Sequence, residues 1–138
     1  MIGKGEGRRV RSIKATEGNI FASELSLVSD YLYFEIVFEN DYPELAELLE
    51  MCGREHAKNI KRMTVAEDHN YRAGGDNVHK QVSVSQVLTA LIEKEQGLKL
   101  LYERLYLLCD DRELESDIKE ILRASEMRLS ILKNIQKC

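Results

Sequence analysis

The sequence predicts an all-α protein, an antiparallel four-helix bundle of two helical hairpins joined by a longer central loop. Three observations predict it. One proline and no tryptophan occur in 138 residues, so few positions break a helix. Four long segments repeat apolar residues at spacings of three and four, the period of a helix with one buried face. The links between them are short, long and short, the order expected of two hairpins laid side by side. Apolar residues make up 43% and charged residues 32%, enough for a core and a well-solvated surface.

Residues 1–18 are expected to form a flexible basic arm, ahead of a bundle over 19–138. Within the first fourteen residues Lys4, Arg8, Arg9, Arg11 and Lys14 stand against Glu6 alone, among three glycines, a composition typical of a loose terminus. Helix A is expected from Asn19 to Glu39, with Asn19 or Ser23 as its N-cap. Asn40-Asp41-Tyr42-Pro43 forms a short link, and Pro43 suits the first turn of helix B, which runs to about Val65. Residues 67–82 hold Gly74-Gly75-Asp76-Asn77 and no apolar period, so they form the long loop. Helix C begins near Ser85 and reaches Leu108 or Cys109. Asp110-Asp111 make a tight link and cap helix D, which runs to about Ile135. The two halves are distantly alike. Glu24 precedes Tyr31 by seven and Glu95 precedes Tyr102 by seven, which points to a pseudo-twofold arrangement.

The net charge of −4 gives the body of the chain no general affinity for nucleic acid. The arm reads either as a plain disordered terminus or as a tether for an anionic partner or a second subunit. No apolar stretch follows the basic start as in a signal peptide. None approaches the roughly 20 apolar residues of a membrane helix. A cytoplasmic protein, assembled as a homodimer, is expected. Cys52, Cys109 and Cys138 are odd in number and form no C-x-x-C pair, against structural disulfides or a zinc ribbon. Cys52 and Cys109 fall on apolar faces as small core residues. No phosphate-binding glycine loop opens a helix, and no nucleophile–base constellation assigns catalytic residues. His69 and His79 are expected in solvent on the central loop.

What interrupts the apolar stripes is more informative. In helix C, Leu88, Leu91, Glu95, Leu98, Tyr102, Leu105 and Cys109 form a core seam with Glu95 at its middle. Helix B places His56 at the centre of Leu45, Leu49, Cys52, Ile60 and Met63. In helix A, Phe21, Glu24, Val28, Tyr31 and Glu35 share a face. In helix D, Glu126 borders the stripe Ile118, Leu122, Leu129 and Leu132. Each helix thus directs one ionisable group, Glu24, His56, Glu95 or Glu126, toward the axis. An unpaired buried carboxylate costs several kcal/mol, and carboxylate oxygen with imidazole nitrogen suits iron, manganese or zinc. Taken singly, Glu126 reads as an edge residue in solvent and His56 as a hydrogen-bonded core histidine.

This ordered set resembles the ferritin-like superfamily, and within it the small rubrerythrin-like di-iron carboxylate bundles, over about residues 19–136. The resemblance rests on Glu24 with Tyr31, Pro43-Glu44-Leu45, His56-Ala57, Gly74-Gly75-Asp76, Glu95 with Tyr102, and Glu126. Such proteins use one Glu from each of two helices and a Glu-x-x-His pair from each of the other two. The resemblance assigns Glu24 and Glu95 to the single-carboxylate positions, His56 to the first pair and Glu126 to the second. Gly53 stands where the first pair's glutamate is expected, and Leu129 where the second pair's histidine is expected. It therefore implies a degenerate site holding one divalent ion (iron, manganese or zinc) or none. Without metal, clustered carboxylates repel and at least one pKa rises, and Lys99 or Arg128 is placed to replace the ion. The function implied is a non-catalytic scaffold or interaction protein. The alternative is a metal-dependent oxidoreductase acting on peroxide or oxygen.

Overall fold

The computed structural model describes residues 4–63 and 83–137. Four helices run in chain order: α1 over Lys4–Phe38, α2 over Pro43–Met63, α3 over Val84–Leu108 and α4 over Arg112–Lys137. The expected central loop, with His69 and His79, lies outside the described residues, as does the expected end of helix B near Val65.

Local chemistry sets the helix ends. Pro43 opens α2, where a missing N–H costs nothing, and the link before it closes with Tyr42 N donating to Phe38 O at 2.7 Å. Ser83 caps α3 in a capping box. Gln86 N donates to its hydroxyl at 3.1 Å, and Ser83 N donates to Gln86 Oε1 at 3.0 Å, which satisfies two otherwise orphaned donors. Asp111 accepts from Glu113 N at 3.0 Å and starts α4.

α1 departs from expectation. It begins at Lys4, so from there on the segment read as a flexible arm is helical. The inner seam explains the extension. Phe38, Phe34, Tyr31, Leu27, Glu24 and Ile20 are buried, and the three-and-four spacing continues back to buried Thr16 and to Ile13 packed on the core. Glycines at 7 and 18 cost about 1 kcal/mol each, but an established helix extends cheaply. Arg8, Arg11 and Lys14 remain exposed on these first turns.

Packed pairs are α1 with α2, α3 with α4, and α1 with α3, which makes two hairpins side by side. Cross-helix bonds give the directions. Tyr31 reaches Glu95 while Tyr102 reaches Glu24, so α1 and α3 are antiparallel. Arg62 pairs with Glu120 and Arg128 with Glu55, so α2 and α4 are antiparallel too. Leu27, Leu49, Leu91, Leu105, Ile118 and Leu132 fill the axis above and below one polar layer.

Candidate functional site

That polar layer draws one or more residues from every helix. Each arrives on its helix's inner seam: Glu24 and Tyr31 from α1, His56 from α2, Glu95 and Tyr102 from α3, and Arg128 from α4. Glu24, His56, Glu95 and Arg128 are 1%, 0%, 0% and 3% exposed, so each needs partners inside the protein.

His56 lies between the two carboxylates. Its Nδ1 meets Glu24 Oε1 and its Nε2 meets Glu95 Oε1. Tyr102 donates to Glu24 Oε2 at 2.7 Å, and Tyr31 donates to Glu95 Oε1 at 3.1 Å. These two bonds are reciprocal: each glutamate takes the hydroxyl of the tyrosine lying seven residues beyond the other. The pseudo-twofold expected from the spacing is thus seen in the hydrogen bonding. Tyr31 also stacks on His56, with ring centroids 5.6 Å apart. Arg128 donates through Nε to Glu95 Oε2 at 3.0 Å and through Nη1 to Glu55 Oε2 at 2.8 Å.

The electrostatics follow from the contacts. Burial alone pushes the His56 pKa down, but the hydrogen bonds and charges of Glu24 and Glu95 outweigh it and raise it above its ordinary value. With both ring nitrogens facing carboxylates, the imidazolium with two N–H donors fits the site. Burial pushes Glu95 up, yet His56 and then Arg128 outweigh it and hold its carboxyl below the usual range. The expected rise in carboxylate pKa is therefore reversed at Glu95, because cations reach it from two sides. Burial drives both tyrosine hydroxyls up, reinforced by the carboxylates they bond, so they stay protonated donors. Burial beside Glu95 pushes the Cys52 thiol up to about 12, and the side chain is buried as its reading as a small core residue expects.

Glu24, His56 and Glu95 therefore meet at one buried point, and Glu126 does not. Its side chain is 66% exposed and faces Lys99 at 3.6 Å. The inner seam of α4 is Ile118, Ile121, Ser125, Arg128 and Leu132, so the stripe read through Leu122 was rotated toward Glu126, which the observed seam leaves facing outward. Of the two cations placed to replace a metal, Arg128 enters the cluster and Lys99 stays at the surface. Glu55, the second anion on Arg128, was missed. The three-and-four spacing of Ile118, Ile121, Ser125, Arg128 and Leu132 was the available signal for Arg128, which in turn requires a second acceptor such as Glu55.

A di-metal centre does not fit this arrangement. Both ring nitrogens of His56 are taken up by Glu24 and Glu95, and Arg128 occupies the remaining side of Glu95. Gly53 lies at the α1–α2 contact, where an added Cβ would stand 3.2 Å from Tyr31 Cβ, and Leu129 is buried in the apolar core. Among the described residues, no group of three or more His, Cys, Asp or Glu side chains is arranged to hold a metal ion.

The fold and site thus define a helical bundle with a buried carboxylate–imidazole–guanidinium cluster. The chain matches no family model, no curated protein and no solved structure. Among the described residues, no helix is long and apolar enough to cross a membrane.

Proposed function

We propose that this chain is a non-catalytic helical scaffold of ferritin-like descent, in which protein cations have taken over the place of the central metal ions, and that it works through its surfaces. The convergence of Glu24, Glu95 and His56 on the axis supports the kinship. One observation carries the metal-free reading: His56 bridges both carboxylates while Arg128 neutralises Glu95 from the other side. The same reading places the protein in the cytoplasm, where its thiols stay reduced.

The alternative, an oxidoreductase with a residual iron or manganese ion, requires that ion to displace the His56 proton and the Arg128 guanidinium together. Elemental analysis of protein purified without chelator tests the choice. The expected result is far less than one transition ion per chain, and no rise in melting temperature on adding Fe²⁺, Mn²⁺ or Zn²⁺. A stoichiometric ion with peroxide-dependent turnover would restore the enzyme reading and sink the scaffold.

A further inference from the structure

The outward face of α1 differs in kind from those of the other helices. Exposed charges cover α2 (Glu47, Arg54, Lys58), α3 (Glu93, Glu103, Arg104) and α4 (Lys119, Glu120, Arg123). Between Asn19 and Phe38 the only charged residues are Glu24, Asp30 and Glu35. Glu24 is in the buried cluster, Asp30 is buried and bonded to Lys94, and Glu35 lines the groove against α2. What remains outward over residues 22–37 carries no charge. Leu32, Tyr33, Ile36 and Val37 are 56%, 38%, 59% and 47% exposed on it. Leu25, Ser29, Leu32 and Ile36 repeat at four, three and four, a second seam on the side opposite the core. A helix apolar on both sides is built to lie between two partners.

We infer that this face binds a second copy of the chain, α1 against α1, antiparallel across a twofold axis at Ser29. The inference names the working surface of the proposed scaffold, and it stands on observations independent of the ion cluster. The face is complementary to itself under that operation. Ala22 falls beneath the partner's Ile36, Ser26 beneath the partner's Tyr33, and Leu25 beside the partner's Leu32, while Ser29 meets its own copy at the axis. Large side chains in the second half of the face sit over small ones in the first half, which lets the backbones approach. Lys94 reaches one edge of the face, where its ammonium bonds Ser26 and is neutralised by Asp30, so the face sets little net charge between two chains that each carry −4. Residues 22–37 span about 24 Å of helix. Pairing them buries on the order of 1,000 Å² in total, at the lower limit of specific interfaces, so the dimer dissociates on dilution. The segment 64–82 is the rival occupant, but it carries Glu67, Asp68, Arg72, Asp76 and Lys80 at short intervals and offers no apolar ridge for such a face.

Sedimentation velocity of the whole chain over about 1–200 μM, a range bracketing a weak interface, tests the inference. Wild type is expected to dimerise with concentration. Ile36→Asp, which places two charges in the interface through the symmetry, is expected to raise the dissociation constant about tenfold or more with unchanged far-ultraviolet dichroism. Met127→Asp, at an exposed position on α4, is expected to leave association unchanged. In a Cys138→Ser background, Ser29→Cys should cross-link to a dimer under oxidation or a short bis-maleimide, while Arg123→Cys should not. This arm decides the matter even if Ile36→Asp does not fold. A wild-type monomer at all concentrations, whether the face is open or covered by 64–82, overturns the inference. So does a dimer that survives Ile36→Asp in folded protein, or Ser29→Cys that fails to cross-link. The metal analysis can fail without affecting any of these outcomes.

Discussion

At the scale of single residues, Arg128 has the most to lose. Its guanidinium joins Glu95, which is fully buried, to half-buried Glu55. Removing one partner of a buried pair costs about 3–5 kcal/mol, and without Arg128 the Glu95 carboxylate keeps His56 as its one cation. Arg128→Met should therefore lower the unfolding free energy by about that amount in urea titration. Adding Glu95→Gln should return part of it, because the stranded charge is then gone. Equal destabilisation by the double and single substitutions would show that Arg128 matters for packing and not for charge. Cys52 tests the same layer from the side. Its buried thiol, pushed up to about 12, should resist alkylation at pH 8 until the protein is unfolded.

At the scale of helices, two glycines make opposite predictions. Gly97 on α3 has open space where a Cβ would be added, so Gly97→Ala should gain roughly 1 kcal/mol of helix propensity. Gly53 on α2 faces Tyr31 Cβ at 3.2 Å. Tyr31 is held by its bond to Glu95, so Gly53→Ala must push α1 away and should lower the melting temperature despite the same propensity gain. How far each helix could be read from sequence follows from similar physics. Every seam residue expected on α3 is buried, Glu95 and Tyr102 included, because the row keeps an unbroken three-and-four spacing along the helix, from which exposed Leu100 and Leu107 fall away. On α2 the seam holds through His56 and then continues to Asn59. On α1 the expected face through Phe21, Val28 and Glu35 was one position out of phase, since residues 31–38 are apolar nearly all round and periodicity cannot select a side. On α4 the stripe was read through Leu122 and Leu129, which left Arg128 at its edge as a stand-in for the ion and brought Glu126 forward as the inward ionisable group. The start of α1 was hidden by glycines and basic residues that a helix tolerates once its inner seam is anchored.

At the scale of the whole molecule, the ion cluster sets how stability changes with pH. His56 has a folded pKa above its ordinary 6.5, so its contribution is complete below that value and is lost as pH rises through the folded pKa. Glu95 has a folded pKa below its ordinary 4.5, so its contribution is complete above that value and is lost as pH falls through the folded pKa. Stability should be highest between about 4.5 and 6.5 and decline on both sides. Urea midpoints measured across pH 3–9 test this, and His56→Gln should flatten the alkaline limb specifically. A wild-type midpoint that rises from pH 6 to 8 would contradict a protonated His56.

The exchanged tyrosine bonds between α1 and α3 bear on how the bundle can move. Packed helices commonly shift by sliding along one another, and a slip of one turn is about four residues. Here that slip would carry Glu24 from Tyr102 to Leu98 and Glu95 from Tyr31 to Leu27, leaving both carboxylates among leucines. Axial shear between the hairpins is thereby blocked at its first step. Among the described residues, large motions are left to bending at the short links near 39–42 and 109–111, or to the two hairpins parting as units.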